Sequence, residues 1–99
     1  MGNRQVNEFF ISGKVVYVGD KIFYTDKISK RILVLEVYRG KYRNEVSYDF
    51  INNNMTMLDN IRKDDWVNVD FVITGRKNIQ TNGVTRWFNN LEGVSCVKD

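Results

Sequence analysis

The sequence predicts an all-β protein, a five-stranded barrel with one short helix between the third and fourth strands. Three observations carry this. Runs rich in aromatic and β-branched residues recur along the chain, with turn residues between them. One segment, near the middle of the chain, switches from a two-residue period to a helical spacing. The chain has 99 residues, 42% hydrophobic and 13% aromatic, with a single cysteine. That length makes one domain over residues 1–99, and that composition lets it form one core without metal or disulfide.

The first run, Phe9 to Val18, is interrupted by Gly13, which predicts a bulge or sharp bend of the kind that curls a strand round a barrel. Gly19 to Lys30 mixes turn residues and charges and reads as a long loop. Arg31 to Tyr38 is a strand apolar on nearly both faces, and Arg39-Gly40-Lys41 is a turn. Glu45 to Ile51 alternates, with Val46, Tyr48 and Phe50 on one side. Asn52-Asn53-Asn54 offers N-cap chemistry, and Met55, Leu58 and Ile61 follow at helical spacing, so a helix of about two turns is expected to plug one end of the barrel. Trp66 to Thr74 returns to period two. Gly75 to Gly83 reads as a loop with a strong Asn82-Gly83 turn signal, and Val84 to Val97 as a last strand bent near Gly93. Residues through about Asn7 carry no pattern and are expected to be disordered. Strand pattern alone also suits an SH3-like barrel, but three strands, a helix and two strands is the order of the OB-fold, whose strand surface and adjoining loops bind oligonucleotides or sugars.

The residue types exclude most chemistry. There is no histidine, so the commonest general base and metal ligand is missing. One cysteine cannot build the usual zinc site, and Cys96 is expected to be buried and inert. Asp64-Asp65 reads as a solvated turn cluster. No catalytic residue, metal or cofactor is expected. No signal-like run and no apolar stretch of about 18 residues occurs, so the expectation is a soluble cytoplasmic protein. The formal net charge is +3, but it is unevenly spread. Seven basic residues lie against two acids from Lys21 to Arg43, two against six from Asn44 to Gly75, and three against none from Arg76 to Arg86. Two basic segments thus flank an acidic one, and a fold that joins them would present one face to a polyanion.

Ile11-Ser12-Gly13-Lys14-Val15, the run Lys30 to Glu36, and Tyr42 leading into Val46-Ser47-Tyr48-Asp49-Phe50 resemble a family of small bacterial and bacteriophage single-stranded-DNA-binding proteins, long catalogued as a domain of unknown function. Asp65 to Arg76, then Gly83 and Arg86-Trp87-Phe88-Asn89-Asn90-Leu91, are similar to that family's fourth and fifth strands. The resemblance spans about Phe9 to Val97. It implies an OB-fold, no catalysis, and protection or presentation of DNA strands during replication and recombination, in a bacterium or a phage-infected cell.

Binding single strands with little sequence preference needs cations along the phosphates and exposed rings for unpaired bases. Phe23 and Tyr24 lie among Lys30, Arg31 and other basic residues of the first loop; the alternative for these rings is a hydrophobic anchor. Tyr38 and Tyr42 flank Arg39 and Lys41 at the second hairpin. Arg76, Lys77 and Arg86 are the foremost phosphate candidates, with Lys14 on the first strand next. Trp87 and Phe88 are neighbours on a strand and must face opposite ways; Trp87 is assigned outward and Phe88 to the core. Trp66 is expected to pack beneath the helix, and Tyr48, Phe50 and Phe71 to lie in the core. The expected partner is single-stranded DNA, with an RNA-binding cold-shock-like module or a virion or protein-interaction barrel as alternative readings. Oligomeric state and partner proteins stay open.

Overall fold

Six strands and one 3₁₀ helix account for most of residues 6–99, which the computed structural model describes. Residues 1–5, part of the stretch expected to be disordered, lie outside the described residues. The strands are β1 Phe9–Val18, β2 Ile22–Phe23, β3 Ser29–Arg39, β4 Tyr42–Ile51, β5 Trp66–Ile79 and β6 Thr85–Lys98, and the helix is Asn52–Leu58. β1 pairs with β5 through Phe9 to Lys14 and with β3 through Lys14 to Val18. β3 pairs with β4, β5 with β6, and one parallel bridge, Asp49 with Glu92, joins β4 to β6. The circuit β1–β3–β4–β6–β5 closes on itself, and its β4–β6 seam is held by that single bridge. This is an OB-fold, with the helix between its third and fourth barrel strands.

Alternation sets the core. Val15, Leu33, Leu35, Tyr48, Phe50, Val67 and Val69 point inward and are fully buried. Leu58 and Ile61 close one end, with Met55 beside them. Their spacing of three matches the 3₁₀ repeat, which stacks residues i and i+3 on one side. Phe71 is half-buried, stacked on Phe9 and edge-on to Tyr48. Cys96 packs against the core, and burial pushes its thiol up to about 11, so it is protonated and inert at neutral pH.

Several local expectations give way. The register shift in β1 falls at Val16, between Val15 and Tyr17, not at Gly13. Gly13 serves close approach instead, because a Cβ there would stand 2.9 Å from the Glu36 carbonyl oxygen. Asn52 does not cap the helix. It has φ 54, and its Oδ1 accepts from the Ser29 amide, sealing the end of the β3–β4 ladder. The first loop is folded back, with β2 pairing to Ser29 and Lys30, and Tyr24 and Thr25 amides both donating to the Ile28 carbonyl. Asn7 is anchored: its side-chain amide donates to the Ile73 carbonyl and accepts from the Ile73 amide, two positions beyond the last β1–β5 pair. Asp64 and Asp65 form the turn before β5, where Asp64 meets Lys14 and Asp65 meets Lys98.

The largest difference is the length of the last hairpin. β5 continues to Ile79 and pairs with β6 as far as Thr85, so most of the segment expected as a loop is a two-stranded ribbon. Only Gln80 to Val84 turn, with Gly83 at φ 84. β4 and β6 are parallel at the Asp49–Glu92 bridge, and both begin seven residues before it. The β3–β4 turn and the β5–β6 ribbon therefore project from the same end of the barrel, and the helix closes the opposite one.

Candidate nucleic-acid interface

The register sorts the expected binding residues by end and by face. β3 spans eleven residues, so the first loop and the β3–β4 turn stand about 33 Å apart along it. Phe23, Tyr24, Lys30 and Arg31 lie at the helix end. Tyr38, Arg39, Lys41, Tyr42, Arg76, Lys77, Arg86 and Trp87 lie at the other, and Lys14 is between. The fold thus joins the second half of the first basic segment to the second segment and leaves the first half apart.

At the helix end, Phe23 and Tyr24 are both exposed, and Lys30 Nζ sits 5.7 Å from the Tyr24 ring centroid. Lys30 also pairs with Asp49 at 3.3 Å. Arg31 is spent on structure. It shares the inward face of Leu33, its Nε donates to the Gly19 carbonyl at 2.8 Å, and its Nη1 lies 3.1 Å from Asp59 Oδ1. That latch ties the first loop to the end of the helix and leaves the Arg31 side chain 18% exposed.

The outer face of β3 and β4 is neutralised. Arg43 reaches Glu36 at 2.8 Å and Glu45 at 2.6 Å. The Arg43 guanidinium holds the Glu36 carboxyl below its usual range, and the same carboxylate raises the Tyr38 hydroxyl. Tyr38 stays exposed beside this group. Tyr42 and Arg39 form the last register pair of the ladder and stand on the opposite face from Tyr38 and Arg43. The intervening turn is Gly40-Lys41, with Gly40 at φ 60.

The β5–β6 ribbon is different in kind. No carboxylate occurs anywhere from residue 71 to residue 91. Ion pairs hold Lys14, Lys21, Lys30, Arg31, Arg43 and Lys98. Among the described residues, Arg39, Lys41, Arg76, Lys77 and Arg86 meet no carboxylate within ion-pair distance. Trp87 is 69% exposed and Phe88 43% exposed. They do face opposite ways, but Phe88 is not in the core. The ribbon has left the barrel by this point, so neither face has an interior behind it. Arg76 lies over the Phe88 ring at 5.9 Å. Trp66 is also displaced from its expected place: it stands outward beside Lys14, 51% exposed, and does not pack under the helix.

Sequence reading misses five exposed rings: alternation puts Phe88 in the core, acidic neighbours put Trp66 under the helix, and Phe9, Phe10 and Tyr17 carry no signal of their own. Tyr17 stands outward opposite Val34, past the Val16 bulge that resets the alternation of β1. Phe88 had a signal, since it shares the carboxylate-free run with Trp87.

With this geometry in hand, the chain is similar in shape to the crystal structure of the mitochondrial single-stranded DNA binding protein of S. cerevisiae, Rim1. The TM-score is 0.71 at 11% identity, covering 96% of each chain. At that identity the likeness shows the shared fold. No curated protein matches the sequence. The family described as Domain of unknown function (DUF3127) matches residues 10–96, from the first barrel strand to the last, and the chain belongs to that family.

Proposed function

We propose that this protein binds single-stranded nucleic acid, DNA in the first place, with little sequence preference and without catalysis. The observation that carries this is the β5–β6 ribbon: exposed Trp87 and Phe88 stand with Arg76, Lys77 and Arg86 in a stretch free of carboxylates. Exposed rings accept bases that are not already stacked in a duplex, and cations without partners neutralise phosphates at no cost in broken ion pairs. Tyr38, Arg39, Lys41 and Tyr42 add a second such group at the same end of the barrel. A longer strand crosses the outer face by Lys14 and Tyr17 and reaches Phe23, Tyr24 and Lys30 at the other end. The OB-fold shared with a protein that binds single-stranded DNA supports the reading. In the cell, such a protein protects or presents DNA strands in replication and recombination, in the cytoplasm of a bacterium or a phage-infected one.

The test is a titration of fluorescent oligo-dT, with a duplex of equal length and a matched RNA in the same buffer. Single-stranded DNA should bind at least tenfold more tightly than duplex. Equal affinity for duplex would reduce the surface to a bare electrostatic patch, and preference for the RNA would replace DNA as the ligand.

A further inference from the structure

We infer that the β5–β6 ribbon holds two nucleic-acid strands at once, one on each face, and so brings complementary single strands together. This rests on the binding proposed above and extends it. The ladder sets Arg76 opposite Phe88 and, one step on, Lys77 opposite Trp87. Successive positions of a strand face opposite ways, so each face of the ribbon carries one cross-strand pair of a cation and a ring. Asn78 opposite Arg86 adds a second cation to the Phe88 face.

The two faces cannot serve one base. A two-stranded ribbon with its side chains is about 10 Å thick, and a nucleotide stacked on Trp87 has the backbone of both strands between it and Phe88. Nor is either face needed for folding. From Ile73 to Ile79, and from Arg86 to Asn90, every residue is exposed. Neither face carries a carboxylate that would repel a polyanion. An arm built to support one strand would show a ring and cations on one side and neutral or acidic residues on the other. Here both sides carry the same recognition chemistry. Two strands held about 10 Å apart, each with its backbone charge partly neutralised, are placed to find complementary partners, which is the requirement for strand annealing.

The experiment counts short oligo-dT strands per chain at saturation and low salt for four proteins: wild type, Arg86→Glu with Phe88→Ala, Lys77→Glu with Trp87→Ala, and all four changes together. These side chains are exposed, and circular dichroism checks that each variant is folded. Each double variant should bind one strand fewer per chain than wild type, and the fourfold variant two fewer. In parallel, wild type should speed the pairing of complementary DNA strands at least tenfold, and either double variant should lose most of that gain. The inference is overturned if both double variants lose the same single strand, so that the fourfold variant also loses only one. It is equally overturned if annealing is unchanged by either pair. Wild type that binds no oligonucleotide would bring down the proposed function itself, whereas one strand lost in common removes only the two-faced arm.

Discussion

The ring of Phe50 lies directly against the backbone of Gly93, and a Cβ on residue 93 would fall within the ring's own volume. Gly93 sits opposite Phe71 where β6 bulges by one residue at Val94. The bend lets a fully buried aromatic fill the barrel under a passing strand. Gly93→Ala should therefore overpack the core and cost about 3 kcal/mol, the upper part of the range for added core volume. Thermal melts check the loss. Phe50→Leu on the Gly93→Ala background should recover part of it, because the two residues are in contact and their effects do not add.

Trp87 and Phe88 should tolerate removal equally well. Both lie on the ribbon beyond the barrel, so Trp87→Ala and Phe88→Ala should each change stability by less than about 1 kcal/mol. Leu58, fully buried at the helix end, is the contrast, and Leu58→Ala should cost about 2–5 kcal/mol. Denaturant melts of the three variants decide it. A large loss for Phe88→Ala would put its ring in the core after all.

Binding should weaken with salt in proportion to the phosphates met. Three to five contacts, drawn from Arg39, Lys41, Arg76, Lys77 and Arg86, give a slope of log K against log salt of about −2 to −3.5, at roughly −0.7 per contact on a single strand. Replacing Arg76 and Lys77 together by alanine should flatten that slope by about one. Removing Arg31, which is latched to Gly19 and Asp59, should leave the slope unchanged and lower the melting temperature.

The Glu36–Arg43 pair sets a small acid sensitivity. Arg43 holds the Glu36 carboxyl below its ordinary value of 4.5. A carboxyl depressed in the folded state contributes stability that is fully present above 4.5 and is lost as pH falls through its lowered folded value. An NMR titration should place the Glu36 midpoint below 4.5 in wild type and return it towards 4.5 in Arg43→Ala. An unchanged midpoint in that variant would assign the depression to another neighbour.

Local alternation carried much of the fold in the sequence itself. It picked out the five barrel strands and the inward set of Leu33, Leu35, Tyr48, Phe50, Val67 and Val69, and a spacing of three picked out the helix through Met55 and Leu58, with Ile61 just past its end. These are decided by the period of the backbone and by which side chains avoid water, and both are properties of a few neighbouring residues. Alternation says which way a side chain faces, but not whether a barrel stands behind it. Only the closed sheet decided that β5 and β6 outrun the core, which leaves Phe88 exposed with Trp87. Alternation sets Trp66 on the face opposite Val67 and Val69, but only the closed sheet placed it beside Lys14 and clear of the helix. The charges depended on the tertiary structure for the same reason. Arg31 looks like its basic neighbours until the fold brings up Asp59, 28 residues away, and the Gly19 carbonyl. Arg76, Lys77 and Arg86 keep their charges unpaired because the ribbon carries them past every carboxylate of the barrel.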